Sequence, residues 1–118
     1  MKEAYVKIET AQLLKEKGFD WDTDKVYERS LMACRYEDFP MPTQQMACSW
    51  LREEHDIDII PVIRHSLKYA QESPFRDYAC RVYDSDGNIV LSATKWYSRY
   101  EDAVEAALQY CLTNLIEQ

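Results

Sequence analysis

Apolar and polar positions alternate at the start of the chain. Ala4, Val6 and Ile8 are interleaved with Tyr5, Lys7 and Glu9, a pattern that predicts a short strand. Thr10 follows as the expected N-cap of a short helix over residues 11–17. Gly18 stands where a helix end needs a left-handed residue, and Phe19 can close that cap with an apolar contact. Lys15 and Lys17 suit the negative end of the helix dipole. Residues 20–42 lack a clear period. Asp20, Asp22 and Asp24 around Trp21 and Thr23 predict a loop, residues 26–36 admit a strand with a break, and Pro40 and Pro42 end whatever precedes them.

Helical spacing returns after Thr43, the expected N-cap of a second helix. Met46, Ala47, Trp50, Leu51 and His55 fall on its apolar face, and Gln44, Gln45, Arg52, Glu53 and Glu54 on its wet face. Ile57, Ile59, Pro61 and Ile63 then alternate with Asp58, Ile60, Val62 and Arg64. Apolar residues on both faces predict a well-covered strand, and Pro61 places it at an edge or a bulge. After a turn near Ser73-Pro74, residues 75–83 and 89–97 read as two strands joined by the hairpin turn Asp84-Ser85-Asp86-Gly87-Asn88. Ser98 and Glu101 have the spacing of a capping box. Tyr100, Val104, Ala107, Leu108, Cys111, Leu112 and Leu115 form one apolar stripe behind it. Asp102 and Glu105 join Glu101 near the positive end of that helix.

The expected fold is therefore a single α+β domain over residues 1–118. Residues 43–118 form its α-β-β-β-α core, with a three-stranded antiparallel sheet and both helices on one face. Residues 1–42 precede that core as a short strand and helix followed by an irregular or strand segment. No repeat or linker interrupts the chain.

Composition narrows the function classes. The chain has 118 residues, 47% hydrophobic, with two Gly and four Pro, which excludes collagen-like and low-complexity chains. The net charge is −7, and the acid excess is spread along the sequence with no basic stripe. Such a surface repels polyanions, so nucleic acid is a disfavoured partner. No run of apolar residues is long enough for a membrane span, and the N-terminus lacks the apolar run of a signal peptide. A cytoplasmic protein is expected, with Cys34, Cys48, Cys80 and Cys111 as reduced, buried small hydrophobes.

Candidate chemistry is sparse. Asp20, Asp22 and Asp24 begin like a calcium loop, but Lys25 stands where Gly is needed and Leu31 where Glu is needed. His55 and His65 are the only imidazoles, and no cysteine pair has metal-ligand spacing. Cys48 and His55 stand seven residues apart, too far for a hydrogen bond within one helix. No cofactor, metal or catalytic residue is assigned. The aromatics concentrate in the sheet half, at Tyr69, Tyr78, Tyr83, Trp96, Tyr97 and Tyr100. They suit a half-buried antiparallel sheet, or a face that recognises a protein partner through Tyr78, Tyr83, Trp96 and Tyr97.

Two resemblances add to this reading. The order α-β-β-β-α, with Ala103, Ala106, Ala107, Leu108 and Leu112 in the last helix, resembles double-stranded RNA-binding domains. Those domains carry a lysine cluster at the start of that helix. Here the stretch is Ser98-Arg99-Tyr100-Glu101-Asp102, with one cation and two anions, so the resemblance extends to fold and not to RNA binding. The segments ETAQLLKEKGF at 9–19, PTQQMAxxWLRExH at 42–55 and YEDAVEAALxYCL at 100–112 resemble a set of small proteins from gut bacteria and their phages. That resemblance implies a bacterial or phage origin and no particular ligand. The expected function is a binding protein, an accessory factor of a phage or mobile element that contacts a host or self protein. The alternatives are a nucleic-acid-binding module on the RNA-binding-like scaffold and an enzyme whose site follows none of these patterns.

Overall fold

The computed structural model describes residues 4–23, 26–27, 39–66 and 75–116. Its elements are α1 (Ile8–Glu16), β1 (Val26–Tyr27), β2 (Phe39–Pro40), α2 (Gln44–His55), β3 (Asp58–Ser66), β4 (Phe75–Tyr83), β5 (Ile89–Leu91) and α3 (Tyr100–Asn114). From residue 43 the order is the α-β-β-β-α that the pattern predicts. The sheet is antiparallel in the order β3-β4-β5, and β1 pairs with β2 in a separate two-stranded sheet. The turn near Ser73-Pro74, most of the strand expected over 26–36, Cys34 and Tyr69 lie outside the described residues.

The N-terminus departs from its predicted form. Residues 4–6 do not form a named strand. They run beside residues 42–44 through an isolated bridge between Tyr5 and Thr43, flanked by Val6 N–H to Pro42 O at 3.0 Å and Gln44 N–H to Ala4 O at 2.8 Å. The helix begins at Ile8 with Lys7 as N-cap, so Thr10 is not a cap. Thr10 lies inside the helix and is fully buried, because its hydroxyl bonds to a partner on α3 rather than to its own backbone. The other end follows the sequence. Gly18 has φ +98°, its N–H donates to Lys15 O, and Phe19 N–H donates to Leu14 O. This is a Schellman closure whose apolar contact, Phe19 with Leu14, lies in the core.

Thr43 caps α2 as expected, its hydroxyl accepting from Met46 N–H at 3.1 Å. Ala47, Trp50 and Leu51 are buried. Gln44, expected on the wet face, is buried instead, because its amide finds two acceptors on α3. The helix ends at Asp56 in the left-handed region, φ 54°.

In the main sheet Ile59, Pro61 and Ile63 pair with Val82, Cys80 and Tyr78. Alternation puts these six on one face and Ile60, Val62, Arg64, Asp77, Ala79, Arg81 and Tyr83 on the other. One apolar cluster joins Ile59, Cys80 and Val82 to Trp50 and Leu51 of α2, Leu14 of α1, and Val104, Ala107, Leu108, Cys111 and Leu112 of α3. Cover over β3 is only partial, contrary to the reading of two apolar faces: Ile60 is 48% exposed and Ile63 51%. Pro61 does lie on an edge strand.

The hairpin turn forms as the sequence implies. Asp84 Oδ1 accepts from the N–H groups of Asp86 and Asn88, and Gly87 adopts φ +81°. The strand expected over 89–97 does not continue past Leu91. Between Tyr83↔Ile89 and Tyr78↔Tyr97, eight steps along one chain are matched by five along β4. The surplus leaves the ladder as irregular chain. Thr94 spans the gap, donating its N–H to Cys80 O at 2.9 Å while its hydroxyl accepts Cys80 N–H at 3.0 Å. α3 then starts at Tyr100 with Arg99 as N-cap and no side-chain cap bond, so Ser98 and Glu101 do not form a capping box. Glu101 instead pairs with Arg99 at 3.5 Å.

Candidate functional site

A cleft of about 850 Å³ lies where α2, β3, β4 and the start of α3 meet. Helical periodicity supplies one wall. Gln44, Cys48 and Arg52 stand four apart on α2 and project along one stripe. Ile59 and Pro61 of β3 contribute the sheet side. Tyr78 of β4 and Tyr100 of α3 meet at 6.0 Å between ring centroids, edge to face. Tyr100 begins the apolar stripe of α3 yet stays 44% exposed, because it looks into this cleft rather than into the core.

Charges at the cleft are largely engaged. Arg52 Nε pairs with Asp58 at 3.2 Å, and Glu101 pairs with Arg99. Burial pushes the Cys48 thiol up to about 11, against the opposing pull of the Arg52 charge, and also raises the Tyr100 hydroxyl. Burial likewise lifts Cys80 and Cys111 to about 12. At neutral pH these three are thiols rather than thiolates, so none is an activated nucleophile. The His55 ring sits edge-on to Trp50 at 4.8 Å between centroids. Among the described residues no three His, Cys, Asp or Glu are grouped to hold a metal ion.

Behind the cleft lies a buried carboxylate. Glu105 accepts from Lys7 N–H at 3.1 Å, from the Thr10 hydroxyl, and from Gln44 Nε2 at 3.0 Å. Gln44 Nε2 also reaches Glu101 O at 2.8 Å, and Gln109 Nε2 donates to the Thr10 hydroxyl at 3.1 Å. The network fastens the start of α1 and the first turn of α2 to α3. Among the described residues no buried side-chain polar atom lacks a partner. Glu105 therefore does more than complement a helix dipole.

The four aromatics singled out from sequence do not share one surface. Tyr78 and Tyr97 exchange backbone hydrogen bonds at 2.7 and 2.8 Å, and both pack against the core cluster. Trp96, 38% exposed, lies beneath the Arg64 guanidinium at 4.3 Å, and Arg64 also pairs with Asp77 at 2.7 Å. Tyr83 is at the far end of β4, on the sheet face opposite Tyr78. Only Tyr78 lines the cleft. Sequence reasoning missed Gln44, Cys48, Arg52 and Tyr100 as a group. The four-residue spacing on α2 was visible, but nothing local ties that stripe to a tyrosine dozens of positions away. No described helix is long and apolar enough to cross a membrane. Comparison with family models, with curated proteins and with solved structures finds no match to the chain.

Proposed function

We propose that the protein acts by binding, with the cleft beside α2 receiving part of a partner protein. The observation that carries this reading is the edge-to-face pair of half-buried Tyr78 and exposed Tyr100, lining a cleft whose one thiol is held protonated. Tyrosines of this kind bury much area at low entropic cost and dominate protein interfaces. The resemblance to small proteins of gut bacteria and their phages supplies the setting: an accessory factor in the bacterial cytoplasm, acting on a host or self protein. The one cation that opens α3, Arg99, is followed by Glu101 and Asp102, an acidic setting that favours this reading over phosphate recognition.

The test is cross-linking from a photoreactive residue at position 45, on the cleft rim, in bacterial lysate. One defined partner is expected. Its capture falls at least about tenfold with Tyr100→Ala, the loss of a typical hot-spot tyrosine, and persists with Trp96→Ala on the other side of the sheet. Capture indifferent to Tyr100→Ala overturns the cleft as the site. Tight, salt-sensitive gel shifts at low salt would instead favour the nucleic-acid alternative.

A further inference from the structure

The hydrogen bonds of β4 fix what the outer edge of β3 presents. Tyr78 bonds through its backbone to Tyr97, and Cys80 bonds to Thr94, both on the β5 side. Antiparallel strands alternate, so Asp77, Ala79 and Arg81 bond on the β3 side, to Arg64, Val62 and Ile60. The intervening residues Ile59, Pro61 and Ile63 therefore point their backbone groups away from the sheet. No described strand pairs with them.

The sequence along this edge is nearly symmetric about Pro61. In Asp58-Ile59-Ile60-Pro61-Val62-Ile63-Arg64, Ile59 answers Ile63, Ile60 answers Val62, and Asp58 answers Arg64 with opposite charge. Two copies lying antiparallel about a two-fold axis at residue 61 would match apolar residue to apolar residue and set Asp58 opposite Arg64, where each would share the partner it has in its own chain, Arg52 and Asp77. Ile60 and Ile63, each about half exposed, would gain cover. At the centre of that pairing the two residues 61 must exchange two hydrogen bonds. Proline has no N–H to give, and its ring carbons fill the space the partner carbonyl would enter.

We propose that Pro61 is a built-in block on self-association, closing an otherwise self-complementary β3 edge to a second copy of this chain. Exposed edges are commonly protected in such ways, and here the block falls on the symmetry centre itself. The test is sedimentation velocity of the full chain across a concentration series, with circular dichroism to confirm folding. Wild type stays monomeric. Pro61→Val and Pro61→Thr, which restore the N–H, tighten self-association by about tenfold or more, as two recovered hydrogen bonds imply. Adding Ile63→Lys to either returns it to monomer. A folded Pro61→Val or Pro61→Thr protein that sediments like wild type overturns the proposal. Amide exchange in wild type gives a reading that needs no variant to fold. Rates at Ile59 and Ile63 that do not change with protein concentration support the block. Protection that grows with concentration means the edge already pairs, and sinks it.

Discussion

Where α3 meets the sheet, Val104, Leu108 and Cys111 share an apolar cluster with Cys80 and Val82. Where it meets α1, Glu105 and Gln109 reach Lys7 and Thr10 through hydrogen bonds. The first contact is non-directional and can repack around a changed shape. The second depends on each donor meeting its acceptor, and losing one member leaves others buried without partners. One helix thus carries a tolerant interface and an exacting one.

Substitutions sharpen this contrast. Leu108→Ala, at a fully buried position, is expected to cost about 3–5 kcal/mol in urea unfolding. Glu105→Ala removes only a small apolar volume yet is expected to cost about 2–4 kcal/mol, because it takes the acceptor from Lys7 N–H and the Thr10 hydroxyl and leaves the Gln44 amide only Glu101 O. A cost no greater than that of an exposed site would break the comparison. A double-mutant cycle with Thr10→Val and Glu105→Gln is expected to yield a coupling of about 1 kcal/mol or more, whereas Thr10→Val with the distant Trp96→Ala adds independently. Gly18→Ala costs about 1 kcal/mol through backbone strain alone, since the φ of +98° disfavours a side chain although the surrounding space is open.

The pH response follows from burial. Cys80 and Cys111 are raised in the folded chain from 9.0 to about 12. Above pH 9 the unfolded chain loses thiol protons that the folded chain keeps, so ionisation favours unfolding. Their contribution is complete below pH 9 and is lost as pH rises toward 12. Urea midpoints measured across this window should fall less steeply for Cys80→Ala and Cys111→Ala than for wild type, whatever each variant's stability at neutral pH.

The apolar half of this design was legible in the sequence, and the polar half was not. Val104, Ala107, Leu108, Cys111 and Leu112 declare a buried stripe by spacing alone, and Thr43, Gly18 and the Asp84–Asn88 turn declare themselves through local chemistry. Thr10 looked like a cap because hydroxyl residues usually bond nearby backbone, and Gln44 looked wet because amides usually are. Both are buried by partners some 60 to 95 residues away in the chain, which no local pattern records. The cleft is hidden for the same reason: periodicity places Cys48 and Arg52 on one stripe, but only the fold sets Tyr78 and Tyr100 opposite them.

The surplus chain between Leu91 and Tyr97 has a consequence for how this protein can change. Ser92, Thr94 and Tyr97 tie the segment back to β4 at three points, through Arg81, Cys80 and Tyr78, and the chain between those ties is irregular. Residues added beside 93 or 95, between these ties, would leave the hairpin and the start of α3 where they are, at little entropic cost. Lineages could remodel one flank of the molecule there without disturbing the rest.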